Sequence, residues 1–144
     1  MQISAAATTT MNCSVEHAWK VLSDHVGMSA WGPGIKVTMD KAGIDDANGV
    51  GAVRRIAAPG PAPAIVEEIT AFEPNAFLAY RAVSGVPLKD YRGEVRLAAR
   101  GGTTWVEYAI HVDARMPSVE KAVVKGVATG LLAAYKRACR KGRS

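Results

Sequence analysis

Between Ile35 and Val112 the chain alternates apolar and polar residues in runs of about 6–11, the length of ordinary strands. Turn residues close each run. Asp45-Asp46-Ala47-Asn48-Gly49, Pro59-Gly60-Pro61, Glu73-Pro74-Asn75, Gly85-Val86-Pro87 and Gly101-Gly102 divide the region into about six strands of an antiparallel meander. A turn at Gly101-Gly102 pairs Leu97 with Val106, Val95 with Tyr108, Gly93 with Ile110 and Tyr91 with Val112, an apolar or aromatic face interrupted by one glycine. The opposite face sets Arg92, Glu94 and Arg96 against His111, Ala109 and Glu107, so the sheet has one wet side and one covered side.

Helical spacing brackets this region. Residues 2–11 predict a first strand, and Ser14 offers an N-cap for a short helix carrying Val15, Ala18, Trp19 and Leu22 on one stripe, ending near Gly27. A second short helical turn runs to Trp31 and stops at Gly32-Pro33-Gly34. After Pro117, residues 119–140 predict a long helix with a core-facing stripe of Val119, Ala122, Val123, Gly126, Val127, Gly130, Leu131, Ala134 and Ala138. Gly126 and Gly130 each cost about 1 kcal/mol relative to alanine inside a helix. Either close packing of helix on sheet or volume kept for a ligand would justify that cost. The expected class is α+β: a curved antiparallel sheet of about seven strands wrapped around a long C-terminal helix, with two short helices after strand 1.

At 144 residues the chain has room for one domain, residues 1–144, and its 49% hydrophobic and 22% charged residues are globular in character. No unbroken apolar run marks a secretory signal or a spanning helix, which predicts a cytoplasmic protein without membrane insertion. The net charge of +5 raises the question of nucleic acid. Much of that charge is terminal, in Lys136, Arg137, Arg140, Lys141 and Arg143, where cations suit a solvated helix end, so no nucleic-acid partner is expected. Cys13 and Cys139 lie near opposite ends with no metal-ligand spacing, which predicts two free thiols, no metal and no cofactor. A homodimer is compatible with the sequence.

The candidate chemistry centres on Arg54 and Glu67. A turn between Gly60 and Pro61 sets them opposite one another on adjacent strands, on the face that also takes Ala52, Ile56, Ile65 and Ile69. There Arg54 would grip a carbonyl or carboxylate of a ligand, or Glu67 would act as a general base with a raised pKa; a self-satisfied salt bridge is the alternative. A one-residue slip would pair Arg54 with Glu68 instead and turn Glu67 outward. Tyr80, Tyr91 and Tyr108 fall on the same inner face, where each hydroxyl wants a partner. Met28, Trp31 and Met116 would rim a cavity, and Gly126 and Gly130 would line it. Of the histidines, His17 is off the apolar stripe and His111 points outward, leaving His25 as an acid or base at the pocket mouth.

Several segments carry a family resemblance: Gly49-Val50-Gly51-Ala52-Val53-Arg54, Ile65-Val66-Glu67-Glu68-Ile69, Tyr80, Tyr91 with Gly93, and Gly102-Thr103-Thr104-Trp105-Val106-Glu107-Tyr108. With the order of elements, they make the chain resemble the START/SRPBCC (helix-grip) superfamily, in its polyketide cyclase/dehydrase-like branch. That resemblance implies a hydrophobic cavity between sheet and long helix, holding a lipid, polyketide or aromatic molecule. A carrier, sensor or sequestering protein is the first expectation. The second is a cyclase or dehydratase in which Arg54 and a tyrosine polarise a carbonyl while Glu67 or His25 moves a proton. An interaction module with a vestigial pocket is the third.

Overall fold

In the computed structural model, which describes residues 1–141, the chain opens with strand β1 (Gln2–Met11) and helix α1 (Val15–Ser23). Arg143 lies outside the described residues. Ser14 caps α1 by accepting the His17 N–H at 3.1 Å, and Ala18, Trp19 and Leu22 bury its inner stripe. A single 3-10 turn (Val26–Ala30) follows, and Met28 is its buried anchor. Next come β2 (Lys36–Lys41), β3 (Val53–Ala57), β4 (Ile65–Glu73), β5 (Phe77–Ser84), β6 (Arg92–Arg100), β7 (Thr103–Asp113) and α2 (Pro117–Lys141).

All seven strands form one antiparallel sheet in the order β1-β7-β6-β5-β4-β3-β2. Every connection from β2 to β7 joins sheet neighbours, and β1 is the exception, crossing to lie beside β7. Register shifts in β2–β3 and β4–β5 bend the strands, as extra residues in a ladder do, and curve the sheet around α2. The β6–β7 hairpin has the register its alternation predicts, with Leu97 opposite Val106, Val95 opposite Tyr108 and Gly93 opposite Ile110. Val95, Val106, Ile110 and Val112 of the hairpin, with Leu78 of the neighbouring β5, are fully shielded from solvent.

The long helix is rotated from the predicted stripe. Its buried residues are Val124, Ala128, Leu132, Tyr135 and Cys139. Val127, Leu131, Ala134 and Ala138 form a half-buried flank, while Ala122, Gly126 and Gly130 face solvent with Val119 and Val123. Large side chains set this rotation. Tyr135 donates its hydroxyl to the Ala18 carbonyl at 2.5 Å and stacks on Trp31 with ring centroids 5.3 Å apart, so the tyrosine edge must face inward. The row of small residues is thereby turned away from the sheet, and a Cβ built on Gly126 or Gly130 meets nothing within 4 Å. Neither close packing nor a reserved volume accounts for those glycines.

The same topology joins the two ends of the chain. Cys13 and Cys139 are both buried and share a thiol hydrogen bond, because the end of β1 meets the last turns of α2. Burial first, and then the neighbouring Cys13 sulfur, push the Cys139 thiol up to about 12, a value that suits an inert core thiol. No helix among the described residues is long and apolar enough to cross a membrane.

Because Gly126 and Gly130 are solvent-facing helical positions, Gly126→Ala and Gly130→Ala should each stabilise the protein by about 1 kcal/mol. Thermal unfolding followed by circular dichroism should show a rise in Tm of roughly 2–4 °C per substitution. A fall in Tm would mean that the glycines do meet a packing partner.

Candidate functional site

A cavity of about 310 Å³ opens between the curved sheet and the half-buried flank of α2. Its walls are largely apolar. Met28, Trp31 and Ile35 close one side, Ile56 and Ile65 come from β3 and β4, and Val127, Leu131 and Ala134 come from α2. The polar part of the lining is Arg54, Glu67, Tyr80, Tyr91 and Tyr108.

Strand register brings the central pair together. Arg54 on β3 stands directly opposite Glu67 on β4, and both are almost wholly removed from solvent. The slipped alternative does not occur: Glu68 points to the outer face, where Arg81 grips it at 2.6 Å. Arg54 donates to Glu67 Oε1 from Nε at 2.9 Å and from Nη2 at 2.7 Å. Its Nη1 donates to His25 Nδ1 at 3.1 Å, and its guanidinium lies 4.8 Å over the Tyr80 ring. Burial is the largest single influence on the Arg54 pKa and works to lower it, but the charge and hydrogen bonds of Glu67, together with Tyr80 and Tyr108, outweigh it and the guanidinium is held above its usual value.

His25 is therefore not at the pocket mouth. It is fully buried behind Arg54, and its Nε2 lies 2.7 Å from the Asn48 carbonyl. A carbonyl only accepts, so Nε2 carries the proton, and Nδ1 must present its lone pair to the Arg54 N–H. Burial first, and then the Arg54 charge, lower the His25 pKa to about 4. The sequence places His25 and Arg54 apart; only the return of the loop around Asn48 under the 3-10 turn makes them partners.

The three phenols form a second chain. Tyr80 and Tyr108 share a hydroxyl hydrogen bond at 2.8 Å, and Tyr91 also hydrogen-bonds Tyr80. Burial is the main force raising all three pKa values, with Tyr108 reaching about 12, so all remain protonated donors near neutral pH. Gly93 makes this arrangement fit. It faces Tyr80 across β5 and β6, and a Cβ there would overlap the phenol ring. The glycine that interrupts the apolar face of the hairpin was the readable signal for that close approach.

Of the residues expected around the cavity, Arg54, Glu67, Tyr80, Tyr91, Tyr108, Trp31 and Met28 line it. Met116, Gly126 and Gly130 do not. Met116 is 63% exposed in the approach to α2, where its backbone N–H donates to Glu120 at 2.6 Å and begins the helix. The glycines are carried outward by the rotation of α2. The other two histidines have separate duties: His17 donates to the Cys139 carbonyl at 2.9 Å, and His111 lies beside Glu94 on the outer face.

Residues 2–141 match the family model described as polyketide cyclase/dehydrase and lipid transport. A search of curated proteins found no match to the chain. Among solved structures, a START superfamily protein from Mycobacterium smegmatis aligns with a TM-score of 0.80 at 13% identity, covering 96% of this chain and 97% of its own. The Zhui aromatase/cyclase from a Streptomyces species aligns at 0.78 and 20% identity, covering 100% and 98%. Ara h 8.0201 aligns at 0.76 and 16% identity, covering 98% and 99%. At these identities the structures share the helix-grip fold.

The geometry carries a pH dependence. Unfolded, the His25 imidazole takes up a proton near pH 6.5; folded, it resists protonation down to about pH 4. Between those values the unfolded chain binds more protons, so stability is full above pH 6.5 and falls as the pH drops toward 4. Urea unfolding across that window should lose on the order of 3 kcal/mol through His25. His25→Gln should flatten that part of the profile, and an unchanged slope in the variant would place the titration elsewhere.

Proposed function

Since the chain belongs to the polyketide cyclase/dehydrase and lipid transport family, we propose that it binds a small, largely hydrophobic molecule between sheet and α2 and carries, senses or sequesters it. The observation that supports holding over transformation is that Arg54 and His25 are already committed within the polar cluster. Each nitrogen of Arg54 already has a partner, and His25 spends both ring nitrogens on Asn48 and Arg54. General acid–base catalysis needs a group within reach of the substrate whose proton is exchangeable near the working pH. His25 is walled off from the cavity and held neutral, and the phenols are held protonated.

An apolar wall with one polar end is the usual form of a small-molecule site, in which burial supplies affinity and the polar groups set orientation. At about 310 Å³ the cavity is near the lower limit of such sites. That size favours a compact guest of one or two fused rings over a long acyl chain. The family's cyclase and dehydrase members mark the rival reading, in which Glu67 would remove a proton. Its bonds to Arg54 support a charge-balancing duty instead.

Native mass spectrometry of protein purified from its own host should show a retained small molecule that remains unchanged on incubation with fresh protein. Ala134→Trp, which fills the cavity from the α2 side, should abolish retention while leaving the circular dichroism spectrum intact. Conversion of the retained molecule into a product would replace the carrier reading with the enzymatic one. Equal retention by wild type and A134W would place the molecule outside the cavity.

A further inference from the structure

The charge balance of the cavity narrows the chemistry of its guest. Arg54 and Glu67 sum to zero, His25 is neutral, and Tyr80, Tyr91 and Tyr108 keep their protons. Arg137, on α2, donates to the carbonyl of the cavity-lining Trp31 at 2.6 Å and is itself not part of the lining. An anionic guest would leave water for a site without an uncommitted positive charge, and a buried carboxylate is tolerated only when paired.

The acceptor side of the cavity is different. Both Arg54 bonds fall on Glu67 Oε1, so the second carboxylate oxygen, Oε2, stands outside that contact. Glu67 is a cavity-lining residue with an acceptor to offer. We infer that the cavity selects an uncharged, compact guest carrying a hydroxyl donor, a phenol or cyclic alcohol that hydrogen-bonds Glu67, and discriminates against a carboxylate on the same ring system. This inference rests on the ligand-binding reading above.

Three probes of matched size separate the two ideas: 2-naphthol, naphthalene and 2-naphthoate, titrated into the full chain by calorimetry near pH 7.5. Wild type should bind 2-naphthol about tenfold or more tightly than 2-naphthoate, the worth of one hydrogen bond to a charged acceptor. Naphthalene should fall below 2-naphthol. Glu67→Gln, which leaves the Arg54 charge unmatched, should shift preference toward 2-naphthoate. Binding of 2-naphthoate by wild type as tightly as 2-naphthol overturns the selectivity while leaving the cavity reading in place. Failure of all three probes to bind overturns both. The wild-type comparison decides even if E67Q does not fold, and an unchanged order of affinities in folded E67Q contradicts the assigned role of Glu67.

Discussion

The guanidinium of Arg54 and the carboxylate of Glu67 are taken out of water on facing strands, at 3% and 6% side-chain exposure. A charge in that position persists only when its partner is fixed in place, and removing one member of a buried pair costs about 3–5 kcal/mol. Much of the surrounding structure meets this demand. The β3–β4 register sets the two residues opposite, the loop at Asn48 orients His25 toward Arg54, and Tyr80 lies under the guanidinium. Gly93 in turn clears the space Tyr80 needs. The polar end of the cavity is thus one connected unit drawn from the 3-10 segment and strands β3 to β7.

That unit explains why a cavity lined by charged and phenolic groups can still serve a hydrophobic guest. The charges cancel where they meet, and the rest of the wall is aliphatic or aromatic. On the proposed reading, apolar burial would supply the binding energy, at about 25 cal/mol per Å² removed from water, and the few polar atoms would fix orientation. The fold shared with a START protein and an aromatase/cyclase provides the hollow. On the proposed reading, the residues at its polar end would decide what it accepts.

Strand periodicity made the sheet legible. Alternation from Arg92 to Val112 set the last hairpin in register, and turn chemistry at Gly60-Pro61 was enough to oppose Arg54 and Glu67. Local pattern works there because a strand shows its inner face every second residue. The long helix was less legible for a related reason. Small and apolar residues occur on both sides of α2, so spacing alone could not choose between the Gly126–Gly130 side and the Leu132–Tyr135 side. A contact distant in sequence, Tyr135 to Ala18, makes that choice. The link between His25 and Arg54, and the meeting of Cys13 with Cys139, are likewise products of topology that no local pattern announces.

The central claim is that Arg54 and Glu67 spend their charges on one another. A double-mutant cycle measures this directly, using Arg54→Met, Glu67→Leu and the combined variant, each unfolded in urea at pH 7. Each single substitution should lose about 3–5 kcal/mol, because it strands a buried charge, and the double variant should be more stable than the sum of those losses by several kcal/mol. Additive losses would show that the two side chains do not depend on each other, and the account of a charge-neutral cavity would fail.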